Sequence, residues 1–76
     1  MINITNSSTN SVFVYTKRNQ DLHQIAFLKE NECILRDLQK GQILEFKFSS
    51  QIGDVLFPSK TFKIKEIGDE SFIIVR

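Results

Sequence analysis

The amino-acid sequence predicts an all-β domain, a small antiparallel β-sandwich of six or seven short strands, and three observations support this. Apolar and polar residues alternate along most of the apolar segments, with the period of two that places successive side chains on opposite faces of a sheet. Clusters of Asn, Ser, Asp and Gly separate these segments, as turns do. The 76 residues are enough for one domain, 1–76, whose thin core depends on seven Phe.

The first part of the chain predicts three strands separated by polar turns. Ile2 and Ile4 flank a polar residue, and Val12–Tyr15 has the β-branched and aromatic content of a strand. The alternation then resumes after a polar, charged stretch. The predicted strands are 2–5, 12–15 and 22–28, and the predicted turns are 6–11 and 17–21.

The segment 27–46 admits two interpretations. Asn31 is a good N-cap and Gly41 a good C′ residue, so a helix over 32–40 is one alternative, and it makes the fold α+β. That helix has only about nine residues and needs strong packing to persist. The other alternative is a turn at 29–32, a strand at 33–36 and a connection at 37–41. The pattern alone leaves both open.

Two further strands and a hairpin are predicted after Gly41. Ile43–Phe48 places Leu44, Phe46 and Phe48 on one face and charged residues on the other. Segments 61–65 and 71–75 read as a hairpin because a short Gly-containing turn, 68–70, lies between them.

The C-terminal strands carry two more predictions. Segment 71–75 does not alternate, which predicts burial on both faces. The length of the turn leaves open whether Phe62 and Ile64 share a face with Ile73 and Val75 or with the residues between them. Val14, Phe46, Ile64 and Ile73 are predicted core residues.

The spacing of turns and strands resembles that of the von Hippel–Lindau β domain. The matching stretches are Leu28–Asn31 with Gly41 ten positions later, Gln42–Lys47, Asn6-x-Ser8 before Val12–Tyr15, and Gly53–Leu56. This resemblance covers roughly residues 2–64. It implies an immunoglobulin-like or prealbumin-like sandwich in which Cys33–Arg36 is extended, and so favours the strand alternative.

The resemblance also implies where a ligand would bind. The family's β domain binds a hydroxyproline-containing peptide through a Trp, a His and hydroxyl groups. At the corresponding positions this chain has Leu44 and Gln42, with Leu38 in place of a Ser and Tyr15 near a second Trp. Because the polar groups that recognise a hydroxyl are mostly absent, hydroxyproline recognition is not expected.

Composition argues against several functional classes. A net charge of +1 gives little attraction to nucleic acid or a membrane surface. One cysteine, Cys33, excludes an internal disulfide, and neither a metal nor another cofactor is expected. A thiol–imidazole pair of Cys33 with His23 is less favoured than two ordinary strand residues, so no enzyme is predicted. Without a signal-like N-terminus the expected setting is cytoplasmic, and a mature secreted fragment stays an alternative.

The predicted function is therefore non-catalytic binding of another protein, a peptide or a second copy, through a sheet edge or face. The first and last strands are the expected edges. The candidate partner-binding residues are Ile2, Ile4, Tyr15, Gln42 and Leu44. A chain this small is typical of bacterial or phage accessory proteins such as inhibitors.

The alternative function is a small β-barrel that binds nucleic acid through the Phe/Lys strands 46–48 and 60–65. It is less favoured because alternation places Phe and Lys on opposite faces, so nucleic acid is not expected as a partner.

Overall fold

The computed structural model describes the backbone of residues 1–76 and every side chain except those of Thr61 and Phe62. These described residues form seven β-strands and no helix, which confirms the all-β prediction and excludes the helix over 32–40. The strands are β1 (Ile2–Asn6), β2 (Val12–Arg18), β3 (Asp21–Leu28), β4 (Cys33–Arg36), β5 (Ile43–Ile52), β6 (Val55–Glu66) and β7 (Phe72–Val75).

The strands form two sheets that pack face to face. The three-stranded sheet has the order β4-β1-β7, and the four-stranded sheet has the order β3-β2-β5-β6. Most neighbouring strands are antiparallel, as predicted, but β1 and β7 run parallel. The parallel pair arises because β7 reaches β1 by crossing from one sheet to the other.

The core lies between the two inner faces, and β1, β2 and β7 each contribute every second residue to it. Its buried apolar members are Ile2, Ile4, Val12, Val14, Leu28, Leu44, Phe46, Ile67, Ile73 and Val75. Three of the four predicted core residues, Val14, Phe46 and Ile73, are therefore confirmed. The expected dependence of the core on Phe is wrong, since one of these ten residues, Phe46, is a Phe.

Two tight turns close the hairpins of the four-stranded sheet. Arg18 and Asp21 pair directly, and the two residues between them, Asn19 and Gln20, have φ of 51° and 72°. Two successive positive φ values are typical of a type I′ turn, which matches the twist of antiparallel strands. The second turn joins β5 to β6 at Gly53, with φ of 61°.

The turn at 29–32 is tied to the end of β1. The amide of Asn31 donates to the carbonyl of Asn6 at 2.9 Å, and the amide of Asn6 donates to the carbonyl of Glu32 at 2.9 Å. Asn31 has φ of 65°, a left-handed conformation that Asn tolerates better than most residues. The predicted turn and the extended Cys33–Arg36 are confirmed.

The predicted hairpin between 61–65 and 71–75 is wrong. β6 pairs with β5, and β7 belongs to the other sheet. Gly68 is not among the glycines with positive φ, so it does not form the two-residue turn that a tight hairpin needs. Ile67 is buried where the chain crosses between sheets, and it exchanges backbone hydrogen bonds with Gly41 and Gln42.

The predicted burial of Ile64 is also wrong. Ile64 lies opposite Glu45 on the outer face of the four-stranded sheet and is 62% exposed. Its neighbours Lys63 and Lys65 lie opposite Phe46 and Leu44, on the inner side. β6 is an edge strand, so these lysines reach past the core to the chain near β7. The expected place of Phe62 lies outside the described side chains.

Candidate protein-binding surface

β1 is not an open edge, which corrects the expectation for Ile2 and Ile4. It lies in the middle of its sheet, paired with β4 on one side and β7 on the other. Both isoleucine side chains are buried in the core. They support the sheet from within and present neither side chains nor unpaired backbone groups to a partner.

β7 is an edge, as expected for the last strand. Its backbone bonds to β1 include the amide of Asn3 to the carbonyl of Ser71 at 2.9 Å and the amide of Ser7 to the carbonyl of Val75 at 2.8 Å. In a parallel ladder, alternate residues of a strand bond to the same neighbour. The amide and carbonyl groups of Phe72 and Ile74 therefore point away from β1, toward the open edge.

The outer side of the three-stranded sheet carries an apolar surface. Leu35 and Phe72 both lie opposite Asn3, and Cys33 and Ile74 both lie opposite Thr5. We call these four residues, with the two polar ones between them, the outer apolar face. Phe72 is 59% exposed, Leu35 55% and Ile74 46%, and Cys33 is also exposed.

The two polar side chains at the centre of this face bond to each other. The hydroxyl of Thr5 donates to Oδ1 of Asn3 at 2.8 Å. Apolar side chains on β4 and β7 therefore flank a polar pair whose hydrogen bond is already made. A partner that covers this face does not have to replace that hydrogen bond.

The three other predicted site residues lie on the four-stranded sheet or next to it. Tyr15 is in β2, Leu44 is in β5, and Gln42 directly precedes β5. Leu44 is fully buried in the core, so its side chain does not reach a partner. Tyr15 is half-buried on the outer face of the four-stranded sheet, with the ammonium of Lys47 5.2 Å from the centre of its ring. The five predicted residues do not converge on one surface.

Gln42 helps to line a groove of about 480 Å³ between the end of β2 and the connection 37–42. Its Nε2 donates to Oγ1 of Thr16 at 2.5 Å, and its Oε1 accepts from the amide of Gln39 at 3.3 Å. Leu38 also lines the groove. Because both ends of the Gln42 amide group bond within the chain, this side chain holds the connection 37–42 against β2.

The outer face of the four-stranded sheet bears on the nucleic-acid alternative. Phe13 and Phe27 pack at a centroid distance of 4.7 Å, and Phe13 also lies opposite Lys47. Lys47 therefore shares a face with aromatic rings of β2, while within β5 it lies on the side opposite to Phe46, as expected. Phe46, which that alternative uses for stacking, is instead buried in the core.

Within the described residues, no group of three or more His, Cys, Asp and Glu side chains is placed to hold a metal ion. Among the same residues, no helix has the length and apolar character of a membrane span. The carboxylate of Glu70 lies 3.0 Å from the ammonium of Lys65. The hydrogen bond and the charge of Lys65 lower the pKa of Glu70.

No family model, curated protein or solved structure matches this chain. The resemblance to the von Hippel–Lindau β domain stays a prediction, and so does the cytoplasmic setting.

The sequence did not predict the outer apolar face because β7 has no alternation of apolar and polar residues. An apolar strand without alternation predicts burial on both faces. Ile73 and Val75 are buried, but Phe72 and Ile74 are about half exposed. The apolar run of β7 was visible in the sequence. The sequence did not show that only one side of this strand is covered in the sandwich.

Proposed function

We propose that this chain is a non-catalytic protein-binding module that holds its partner on the outer apolar face and along the β7 edge. The observation that carries the proposal is β7 itself, a strand apolar on both sides with one side exposed. Such strands are typical of sheets covered on both faces. A protein partner supplies the missing cover.

The edges of the two sheets differ in a way that supports this choice. β6, an edge of the four-stranded sheet, contains Pro58 and three lysines, which are common protections against added strands. β7 contains neither a charged residue nor a proline. Its outward amide and carbonyl groups, beside Phe72 and Ile74, suit β-strand addition.

The energetics require both features. Covering three side chains that are about half exposed contributes on the order of 2–4 kcal/mol. Association costs at least about 4 kcal/mol in lost translational and rotational freedom. The apolar contact alone is therefore insufficient, and backbone hydrogen bonds or a second contact must add to it.

The test uses the immobilised chain to capture proteins from a lysate of its source, with mass spectrometry of the bound fraction. Phe72→Lys and Ile74→Lys should lose the captured protein. Ile64→Lys is the matched control, since Ile64 is equally exposed but lies on the other sheet. A partner that binds the two face variants as well as the parent chain contradicts the proposal.

Nucleic acid is the other outcome of this test. Fluorescence anisotropy with a labelled single-stranded oligonucleotide measures it directly. We expect weak binding that disappears as salt is added, because the net charge is only +1. Tight binding that resists salt would replace the protein-binding proposal with the nucleic-acid alternative.

A further inference from the structure

A second exposed apolar surface lies on the hairpin that joins β5 and β6. β2 pairs with β5 only from Ile43 to Phe48. The last link beyond that point is the amide of Ser49, which donates to the carbonyl of Ser11 at 2.8 Å. From there β5 and β6 continue as a two-stranded ribbon, residues 49–58, which we call the arm.

The arm is apolar where it is most exposed. Ile52 is 72% exposed, Val55 65% and Leu56 48%. By the alternation of β5, Ile52 lies on the side of the strand that also carries Leu44 and Phe46, which are buried. The core-facing side of the sheet therefore continues onto the arm through Ile52 and Val55, which lie opposite each other. Leu56 lies opposite Gln51, on the other side of the arm.

A two-stranded ribbon of this length is at best marginally stable in water by itself. Apolar side chains at its tip add to that cost unless another surface takes them up. The arm and the outer apolar face are thus two uncovered surfaces of the same chemistry on one chain.

We propose that the partner of the outer apolar face is a second copy of this chain, whose arm packs on it while the first copy's arm packs on the second. The inference rests on the proposed function because it uses the same face. A two-fold axis relates the copies, so each arm–face contact occurs twice. Five exposed apolar side chains per copy are then covered, namely Leu35, Ile52, Val55, Phe72 and Ile74. The half-buried Phe57, opposite Ser50 on the same side of the arm as Ile52, adds to them.

Area decides between this arrangement and simpler ones. A side chain of this kind has on the order of 100 Å² to bury, so three half-exposed ones supply roughly 150–200 Å². A stable dimer needs about 800 Å² per partner, of which about 65% is apolar in homodimers, or roughly 500 Å². Face against face, or arm against arm, falls well short. The reciprocal contact supplies roughly 300 Å² from these side chains and comes nearer to the requirement than either of them.

Charge permits the same arrangement. The net charge of +1 gives two copies little mutual repulsion. Asp54, at the tip of the arm, and Arg76, directly after β7, are both exposed and opposite in sign. The rim of an arm–face contact therefore includes charges of opposite sign, whereas an arm–arm contact brings two Asp54 carboxylates together.

The test is the molar mass by light scattering during size-exclusion chromatography, over a series of concentrations of the parent chain and variants. The parent chain and Ile64→Lys should form dimers. Ile52→Glu in the arm and Phe72→Lys in the face should each be monomeric. An equal mixture of these two variants should recover dimers, because the heterodimer contains one intact arm–face contact and one Glu–Lys pair.

Each contrary outcome overturns the inference. A parent chain that stays monomeric at every concentration contradicts it, and so does a mass that grows beyond two chains. Dimers of Ile52→Glu alone indicate that the faces meet each other, and a mixture that stays monomeric removes the reciprocal contact. Circular dichroism checks that each variant is folded. If Ile52→Glu or Phe72→Lys does not fold, Val55→Glu in the arm and Ile74→Lys in the face replace them.

The two proposals fail separately. A monomeric chain that still captures a different protein, and loses it on Phe72→Lys, keeps the proposed function without the dimer. A dimer that shows the expected mixing behaviour while lysate capture is unaffected by Phe72→Lys keeps the dimer and removes binding of other proteins at this face.

Discussion

The ammonium of Lys65 lies 3.0 Å from Oε1 of Glu70 and joins the edge of the four-stranded sheet to the chain that enters β7. Lys65 reaches there because β6 places it on the inner side of its sheet, opposite Leu44. On the same side of β6, the ammonium of Lys63 donates to the carbonyl of Arg76. The two lysines link β6 to both ends of β7 across the open side of the sandwich.

The first prediction is a pH dependence of stability that Glu70 causes. Lys65 lowers the pKa of Glu70 from its ordinary value of 4.5. A carboxyl group whose folded-state pKa is lowered stabilises the fold above its unfolded value, and that contribution is lost as the pH falls through the folded value. Glu70→Gln should therefore melt at a slightly lower temperature than the parent chain at neutral pH. In acid the two proteins should melt at the same temperature.

Melting curves of both proteins between about pH 7 and about pH 3 measure this effect. Asp69→Asn is the matched control, because the Lys40–Asp69 pair is much more exposed and should contribute less. A difference between Glu70→Gln and the parent chain that stays constant into acid would show that the carboxylate charge is not responsible.

The second prediction concerns the core. Phe46 is buried, and its ring lies among residues of both sheets. Phe46→Ala should lower the free energy of unfolding by about 3–5 kcal/mol, because it removes a large ring from a thin core. A domain this small has a total stability near the low end of about 5–15 kcal/mol, so the variant should keep only about 0–2 kcal/mol and unfold at low urea concentration. Urea denaturation measures this, and a midpoint close to that of the parent contradicts it.

Turn chemistry made much of this fold predictable. Asn31 and Gly41 bracket a segment that also reads as a short helix, yet both adopt positive φ between strands. The pattern alone left helix and strand open, and the spacing shared with the von Hippel–Lindau β domain favoured the strand that the structure shows. The strands 2–5, 12–15, 22–28 and 43–48 were likewise placed correctly, although several extend further in the structure.

What the sequence left undetermined was which side of an alternating strand faces inward. Segment 61–65 alternates cleanly, but Ile64 points outward and Lys63 inward. An edge strand can place lysine stems beside the core because their ammonium groups still reach the surface. The candidate site was poorly predicted because the pattern does not give the order of strands in a sheet. Ile2 and Ile4 were expected on an edge strand, but β1 lies between β4 and β7 and both side chains are core residues. Leu44 is also a core residue, and the exposed Phe72 was expected to be buried.

The third prediction concerns Asn6, a fully buried polar side chain. Its Nδ2 donates to the carbonyls of Asn10 at 2.8 Å and Leu28 at 3.0 Å, and its Oδ1 accepts from the amide of Ser8 at 3.0 Å. Asn6→Ala leaves these groups without their partner, at about 1–3 kcal/mol for each one that stays buried. We expect a loss of at least about 2 kcal/mol in urea denaturation.

Ser8→Ala is the control for this prediction. The hydroxyl of Ser8 also donates to Oδ1 of Asn6, at 2.6 Å, but the Ser8 amide keeps its bond when only the hydroxyl is removed. That variant should lose only about 0.5–1.5 kcal/mol. Equal losses in the two variants would mean that the amide of Asn6 contributes nothing specific.

The fourth prediction compares the two left-handed residues around β4. Gly41 has φ of 88°, and a Cβ built there has no other atom within 4 Å. Gly41→Ala therefore tests backbone strain alone and should cost about 1–2 kcal/mol. Asn31→Gly, at φ of 65°, relieves strain but adds freedom to the unfolded chain, so its net effect should be below about 0.5 kcal/mol. Thermal melting distinguishes the two variants.

If Gly41→Ala melts at the same temperature as the parent chain, the connection 37–42 can relax away from positive φ. The hydrogen bond from the Gly41 amide to the carbonyl of Ile67, 2.7 Å in the structure, then does not fix that conformation.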